Sequence, residues 1–135
     1  MFFEEDDNNF FIEIAHSQQF KMGEVVGGDA FISTMIKDEN RFVAVLSDGL
    51  GSGIRANVLS SLTASMAVNY RLQHRPLSDS MRSILDTLPV DPRKRIGYAT
   101  CSAAEIDLNG EAHLFEFDNP DFIIFRGNTC IEPRK

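Results

Sequence analysis

The sequence has no tryptophan, only two cysteines, and fewer basic residues than acidic ones, with 13 Lys plus Arg against 20 Asp plus Glu. Each shortage removes a class of function. A net charge of -7 gives no basic footprint for gripping a phosphate backbone, so neither DNA nor RNA is the expected partner. Cys101 and Cys130 lie far apart without CxxC spacing, which argues against a zinc site or a disulfide; both sit in apolar, strand-like stretches and read as buried thiols. No apolar run approaches the ~20 residues that span a bilayer. The opening Met1-Phe2-Phe3-Glu4-Glu5-Asp6-Asp7 is acidic where a secretory signal carries positive charge. A cytoplasmic protein without a membrane span is therefore expected. Phosphate-binding glycine motifs are missing too: Gly49, Gly51 and Gly53 do not form G-x-G-x-x-G, and there is no G-x-x-x-x-G-K-[ST].

What is present is enough for one domain. The chain has 135 residues, 43% of them hydrophobic, with 11 Phe. That length holds one core, and the composition is not that of a disordered chain. There is no internal repeat. The acidic residues 1–9 form a segment expected to fray or to act as a solvated cap.

Apolar residues at Phe10, Ile12 and Ile14, with Glu13 opposite, have the two-residue period of a half-buried strand over Phe10 to His16. Two β-rich runs, Ala30 to Lys37 and Arg41 to Ser47, flank the turn-forming Asp38-Glu39-Asn40 and predict a hairpin. After Gly53 the period becomes helical, with Ile54, Val58, Leu62 and Met66 at steps of four, running to about Arg71. A second helix starts at Ser78 as N-cap, shows Met81, Ile84, Leu85 and Leu88 on one face, and stops at Pro89. Strands return over Tyr98 to Asp107, Glu111 to Phe117 and Asp121 to Arg126, and Asn109-Gly110 is the strongest hairpin signal. Helices grouped between runs of strands predict an α+β fold with antiparallel strands rather than a doubly wound sheet.

Two acids stand out. Asp29 in Gly27-Gly28-Asp29 and Asp48 in Ser47-Asp48-Gly49 flank the open end of the predicted hairpin. With Asp38-Glu39 as its loop, cross-strand partners have numbers summing to 77, which sets Asp29 against Asp48; a three-residue loop would shift that register by one. Directly opposed β-carbons are about 4.5–5.5 Å apart. Two carboxylates at that spacing repel unless a proton or cation lies between them, and Mg²⁺ or Mn²⁺ takes carboxylate and carbonyl oxygens. The glycines beside both acids let backbone carbonyls approach an ion. A strand that ends in Asp-Gly and turns through glycines into a helix is also common without a metal, and the residues alone leave both readings open.

His16, His74 and His113 share no ligand spacing, and none is a catalytic candidate. Arg93-Lys94-Arg95 reads as a solvated loop or as a contact for phosphate or an acidic partner. Ser60, Ser61, Thr63 and Ser65 lie on one helix with no Ser-His-Asp pattern, so side-chain nucleophilic catalysis has no support.

Gly27-Gly28-Asp29-Ala30-Phe31 followed by Ser47-Asp48-Gly49-Leu50-Gly51-Ser52-Gly53 and Arg55-Ala56 resembles the paired signatures of the SpoIIE-type (PP2C-like, PPM) serine/threonine phosphatases. Gly97-Tyr98-Ala99-Thr100 and Asp118-Asn119-Pro120-Asp121-Phe122 extend the resemblance, which covers about Met22 to Gly127. It implies a mainly antiparallel β-sandwich with flanking helices and a binuclear Mn²⁺ or Mg²⁺ centre that activates water against phosphoserine or phosphothreonine. It also implies that Asp48 bridges the metals, that the Gly49 carbonyl binds one of them, and that Asp29 completes or orients that shell. The implied partner is a phosphorylated signalling protein, of the anti-sigma-factor antagonist kind. Ser52 stands where many members have His. The family's further Asp-Gly motif, which supplies another metal-binding Asp, is not found before Lys135, so the resemblance covers the N-terminal portion of the phosphatase domain. A non-catalytic regulatory module on the same fold is the alternative function.

Overall fold

A computed structural model describes residues 10–20, 22–23, 26–49, 53–87 and 99–134. Strands β1 (Asp29–Ile36), β2 (Arg41–Asp48), β3 (Thr100–Asp107) and β4 (Ala112–Phe117) form one antiparallel sheet in that order. Helices α1 (Gly53–Leu72) and α2 (Leu77–Thr87) lie between β2 and β3 in the chain. Strands β5 (Ile124–Arg126) and β6 (Thr129–Ile131) make a separate hairpin. The fold is α+β, as expected. Among the described residues no helix is long and apolar enough to cross a membrane.

The first hairpin closes through a one-turn 3-10 helix, Lys37–Glu39, with Asn40 in the left-handed region at φ 50°. The loop is thus four residues, Lys37 to Asn40, where two were expected. It has the same centre, and Ile36 pairs with Arg41, so partner numbers still sum to 77. The β3 to β4 turn is held by Asp107, whose Oδ1 accepts the backbone N–H groups of Asn109 and Glu111, both at 2.9 Å. Gly110 supplies φ 84° there, a value that favours glycine.

Strand alternation puts Ile32, Val43, Val45, Cys101, Ala103 and Phe115 on the face that meets α1 and α2. Ile36, Val43, Val45 and Ile84 are fully or almost fully buried in this core. The buried side of α1 is made of small residues, Ala56, Ser60, Thr63, Ala64 and Ala67, with Val68 and Arg71 toward its end. This corrects part of the expected apolar face: Ile54, Val58 and Leu62 are 74%, 48% and 44% exposed, whereas Met66 packs against the core. Small side chains let the helix approach the sheet closely. The hydroxyls buried with them do not go unsatisfied, because Ser60 Oγ donates to the Asn57 carbonyl and Thr63 Oγ1 to the Leu59 carbonyl, at 3.1 and 2.8 Å. In α2, Met81 and Ile84 face the core as their spacing predicts, and Leu77, ahead of the expected start, is buried with them. The helix starts one residue before Ser78, and Ser80 rather than Ser78 bonds back to the carbonyl of Pro76, at 2.8 Å.

Two further expectations fail. Phe10 to His16 forms no strand and joins no sheet; Ile12 and Ile14 are half-buried and Glu13 exposed, as the alternation predicts, but Phe10 is 60% exposed. A ladder is lacking. The segment is tied by the Phe10 N–H to the Leu108 carbonyl at 2.9 Å and by the His16 ring stacked on Phe31 at 4.5 Å. Cys101 is buried as expected, but Cys130 is exposed, on the short β6 of a two-stranded hairpin that among the described residues pairs with no other strand. Residues 1–9, Leu50 to Ser52, Leu88 to Tyr98 (with Arg93-Lys94-Arg95) and the side chain of Leu85 lie outside the described set.

Candidate metal centre

Asp29 is the first residue of β1 and Asp48 the last of β2, and the two are register partners. One step further out, the Gly49 N–H donates to the Gly28 carbonyl at 3.0 Å. Antiparallel pairs alternate, so the Asp29–Asp48 pair is of the non-hydrogen-bonded kind, whose Cα atoms stand about 4.5 Å apart with side chains at their closest. Two acids on one face at that spacing are destabilising by themselves. The arrangement suits a shared cation.

The end of β2 is fixed to β3 on both sides of Asp48. Ser47 Oγ donates to the Thr100 carbonyl at 2.8 Å, while Thr100 Oγ1 accepts the Asp48 N–H at 3.2 Å and lies 3.3 Å from its carbonyl. From the helix side, Asn57 Nδ2 donates to the Gly27 carbonyl at 2.8 Å. Gly49 is buried, and a β-carbon on it would collide with the Ala56 carbonyl and lie 2.6 Å from the Gly28 carbonyl oxygen. The glycine is therefore required where the strand end meets the first turn of α1. It leaves backbone carbonyls as the groups crowded beside the two acids.

Asp29 and Asp48 open onto a cleft of about 220 Å³, with Leu46, Ser102, Asn119 and Pro120 as its other walls. Asn119 closes one side: its Nδ2 donates to Ser102 Oγ at 2.9 Å and reaches the Leu46 carbonyl at 3.4 Å. Ser102 and Asn119 were not among the expected site residues. Period-two alternation could have found Ser102, which shares a sheet face with Thr100 and pairs with Leu46, two residues before Asp48.

The donors are all oxygens, which fits a hard divalent cation. Among the described residues, no group of three or more His, Cys, Asp or Glu converges as a metal site. His113 and His74 lie elsewhere, while His16 stacks on Phe31, two residues along β1 from Asp29. His113 Nε2 is 2.9 Å from Glu111 Oε1, and His74 sits between Asp38 and Glu39 at the far end of the hairpin. Burial pushes the Cys101 thiol up to about 11, which leaves it inert.

The sequence profile of the Stage II sporulation protein E (SpoIIE) family matches residues 38–135. Among solved structures, the PP2C phosphatase domain with a fragment of the regulatory domain of the cell fate determinant SpoIIE from Bacillus subtilis superimposes with a TM-score of 0.71 at 22% identity. That match covers 83% of this chain and 33% of the other. RsbX in complex with magnesium gives 0.54 at 21% identity, over 76% of this chain and 58% of that one. A structure from the bacterial stressosome, described as a modular system adapted to control secondary messenger signaling, gives 0.54 at 18% identity, over 66% of this chain and 42% of that one. At such identities the likeness is one of fold. The chain spans a third of the SpoIIE structure and just over half of RsbX. No curated protein matches the sequence significantly.

Proposed function

The chain belongs to the SpoIIE family, and from that premise we propose that it is the N-terminal portion of a metal-dependent protein serine/threonine phosphatase domain. The observation that carries the reading is the direct opposition of Asp29 and Asp48 beside a glycine that tolerates no side chain. In this reading Asp48 and Asp29 hold Mn²⁺ or Mg²⁺ through their carboxylates, and Gly49 contributes its carbonyl. A magnesium complex of RsbX supports the choice of ion. When bound, such ions neutralise phosphoryl oxygens and make a water nucleophilic near neutral pH.

The chain's own residues supply position. Thr100 and Ser47 fix the backbone that carries Asp48, so its carboxylate is preorganised. Asn119 and Ser102 wall the cleft with a fixed amide and hydroxyl beside the place a phosphoryl group would enter. The substrate is a phosphoserine or phosphothreonine on a signalling protein, and stressosome and RsbX relatives favour a bacterial partner of the anti-sigma-factor antagonist kind. The work would take place in the cytoplasm.

A second reading, a regulatory module on the same fold without turnover, is favoured by the donor count. Two carboxylates and one carbonyl are few for two hydrated ions, each of which takes about six oxygens. Calorimetry with Mn²⁺ and phosphate release from a phosphoserine peptide separate the two readings. We expect weak Mn²⁺ binding that Asp48→Asn removes, and slow Mn²⁺-dependent release that disappears in the same variant. Binding without any release would favour the regulatory module. Binding and release both unchanged in Asp48→Asn would overturn the phosphatase reading.

A further inference from the structure

At the closed end of the hairpin, remote from Asp29 and Asp48, a cleft of about 480 Å³ lies between the start of α2 and the helix-facing side of β2, β3 and β4. We propose that it binds a small organic anion, a phosphate- or carboxylate-type head on an apolar body. The volume falls in the range of about 300–1,000 Å³ typical of small-molecule sites. The proposal does not depend on the phosphatase reading.

Register explains the convergence. Glu105 pairs with His113 and with Val43, and Arg41 lies two residues before Val43, so Arg41, Glu105 and His113 emerge on one face of three adjacent strands. Among the described residues Glu105 is the one acid in the wall, and it is already satisfied: Arg71 grips it with Nε on Oε1 and Nη2 on Oε2. Among the described residues Arg41 has only a long contact with an acid, its Nη1 standing 3.7 Å from Glu105 Oε2, beyond a hydrogen bond. Its side chain is 29% exposed, so its planar donors can turn to an incoming oxyanion and meet it in the bidentate manner of guanidinium groups. His113, exposed and shared with Glu111, offers a second donor. Ser78 supplies a hydroxyl on the opposite wall. Below these, Leu77 and the half-buried Phe115 form the apolar floor that an uncharged body would cover.

The test is an NMR titration of the full chain in chelator, so that the carboxylate cleft holds no ion, with phenylphosphonate, benzoate, inorganic phosphate and the neutral benzyl alcohol. We expect phenylphosphonate to move the amide signals of Ser78 and His113 with millimolar affinity, inorganic phosphate to bind more weakly, and benzyl alcohol to leave them in place. Benzoate measured against phenylphosphonate identifies which head is preferred. Ser78→Asp puts a negative charge at a helix start, where it favours the helix, so the variant keeps its fold. It should weaken phenylphosphonate binding about tenfold or more, equivalent to about 1.4 kcal/mol. Arg41→Gln should do the same. Equal shifts with benzyl alcohol, shifts confined to the Asp29–Asp48 end, or undiminished binding in Ser78→Asp would each overturn the proposal.

Discussion

The two ends of the β1–β2 hairpin treat acidic residues in opposite ways. At the closed end, Glu105 and Glu39 converge on Arg71, with Arg71 Nη2 2.6 Å from Glu39 Oε2, while His74 stands 2.9 Å from Asp38 and 3.0 Å from Glu39. The cations come from the chain itself, chiefly from the last turn of α1. At the open end, Asp29 and Asp48 are set against one another, beside Gly49 and the Gly28 and Ala56 carbonyls that crowd it. Acids neutralised from within hold the helix to the sheet. Acids opposed in register make the strand end favourable to a cation from outside. Acidic side chains are structural at one end and ligand candidates at the other, and what differs is that the closed-end acids converge on Arg71 whereas Asp29 and Asp48 face each other across the ladder.

Breaking the closed end should have the largest effect. Arg71 and Glu105 are buried, with side chains 7% and 10% exposed. Burial works to lower the Arg71 pKa, but the hydrogen bonds and charges of Glu105 and Glu39 more than offset it and raise it. Removing one partner of a buried pair typically costs about 3–5 kcal/mol, because the other charge is left buried and uncompensated. Urea unfolding of Arg71→Met should show a loss of that size, and Arg71→Met/Glu105→Leu should recover most of it. A loss below about 1 kcal/mol would place the pair among ordinary surface ion pairs.

How legible each end was in the sequence differs for the same reason. The Asp29–Asp48 opposition is a matter of register, which turn residues and strand alternation encode locally; even a loop of four residues rather than two kept the pairing, since the loop grew equally on both sides. The Arg71 network joins α1, the Lys37–Glu39 turn and β3, and no local spacing relates residues 34 positions apart. The face of α1 was misread because large apolar side chains at steps of four outweigh alanines in any periodicity argument. Packing favoured the alanines and self-satisfied hydroxyls that allow close approach to Val43 and Val45. The β5–β6 hairpin was missed although Gly127-Asn128, with Gly127 at φ 59°, is a recognised two-residue turn signal.

Next in size is Gly49→Ala, which tests whether the open end is as tightly built as the closed one. The added β-carbon must displace the Ala56 or Gly28 carbonyl, and overpacking of this kind costs about 1–3 kcal/mol. A melting temperature within error of the parent would mean that the strand end yields easily. A smaller effect of opposite sign is expected for Asp29→Asn in chelator. Relieving a directly opposed like charge should stabilise the protein by about 0.2–1 kcal/mol, whereas the stabilisation gained on adding Mn²⁺ should shrink. Destabilisation of the metal-free protein would mean that Asp29 has the structural role seen at the other end.

The smallest effect is the most specific in its pH dependence. His74 follows the end of α1 in the left-handed region at φ 62°, and its two ring nitrogens face two different carboxylates. The hydrogen bond to Glu39 and the charge of Asp38 raise its pKa above the ordinary 6.5, against some desolvation and the charge of Arg71. A raised histidine pKa stabilises the fold in full below about 6.5, and that contribution is lost as pH climbs through the folded-state value. Glu39 shifts the other way: the His74 hydrogen bond lowers it from the ordinary 4.5, burial opposes this, and Arg71 adds to it. Its contribution is present above about 4.5 and disappears as pH falls through the folded-state value. The tie between the hairpin turn and α1 is thus strongest between the two, near pH 5 to 6. In His74→Gln the difference in stability from the parent should be greatest in that window and close toward pH 9, as read by urea unfolding across the range. A difference that is constant with pH would reduce His74 to a packing residue and leave Arg71 alone holding the closed end.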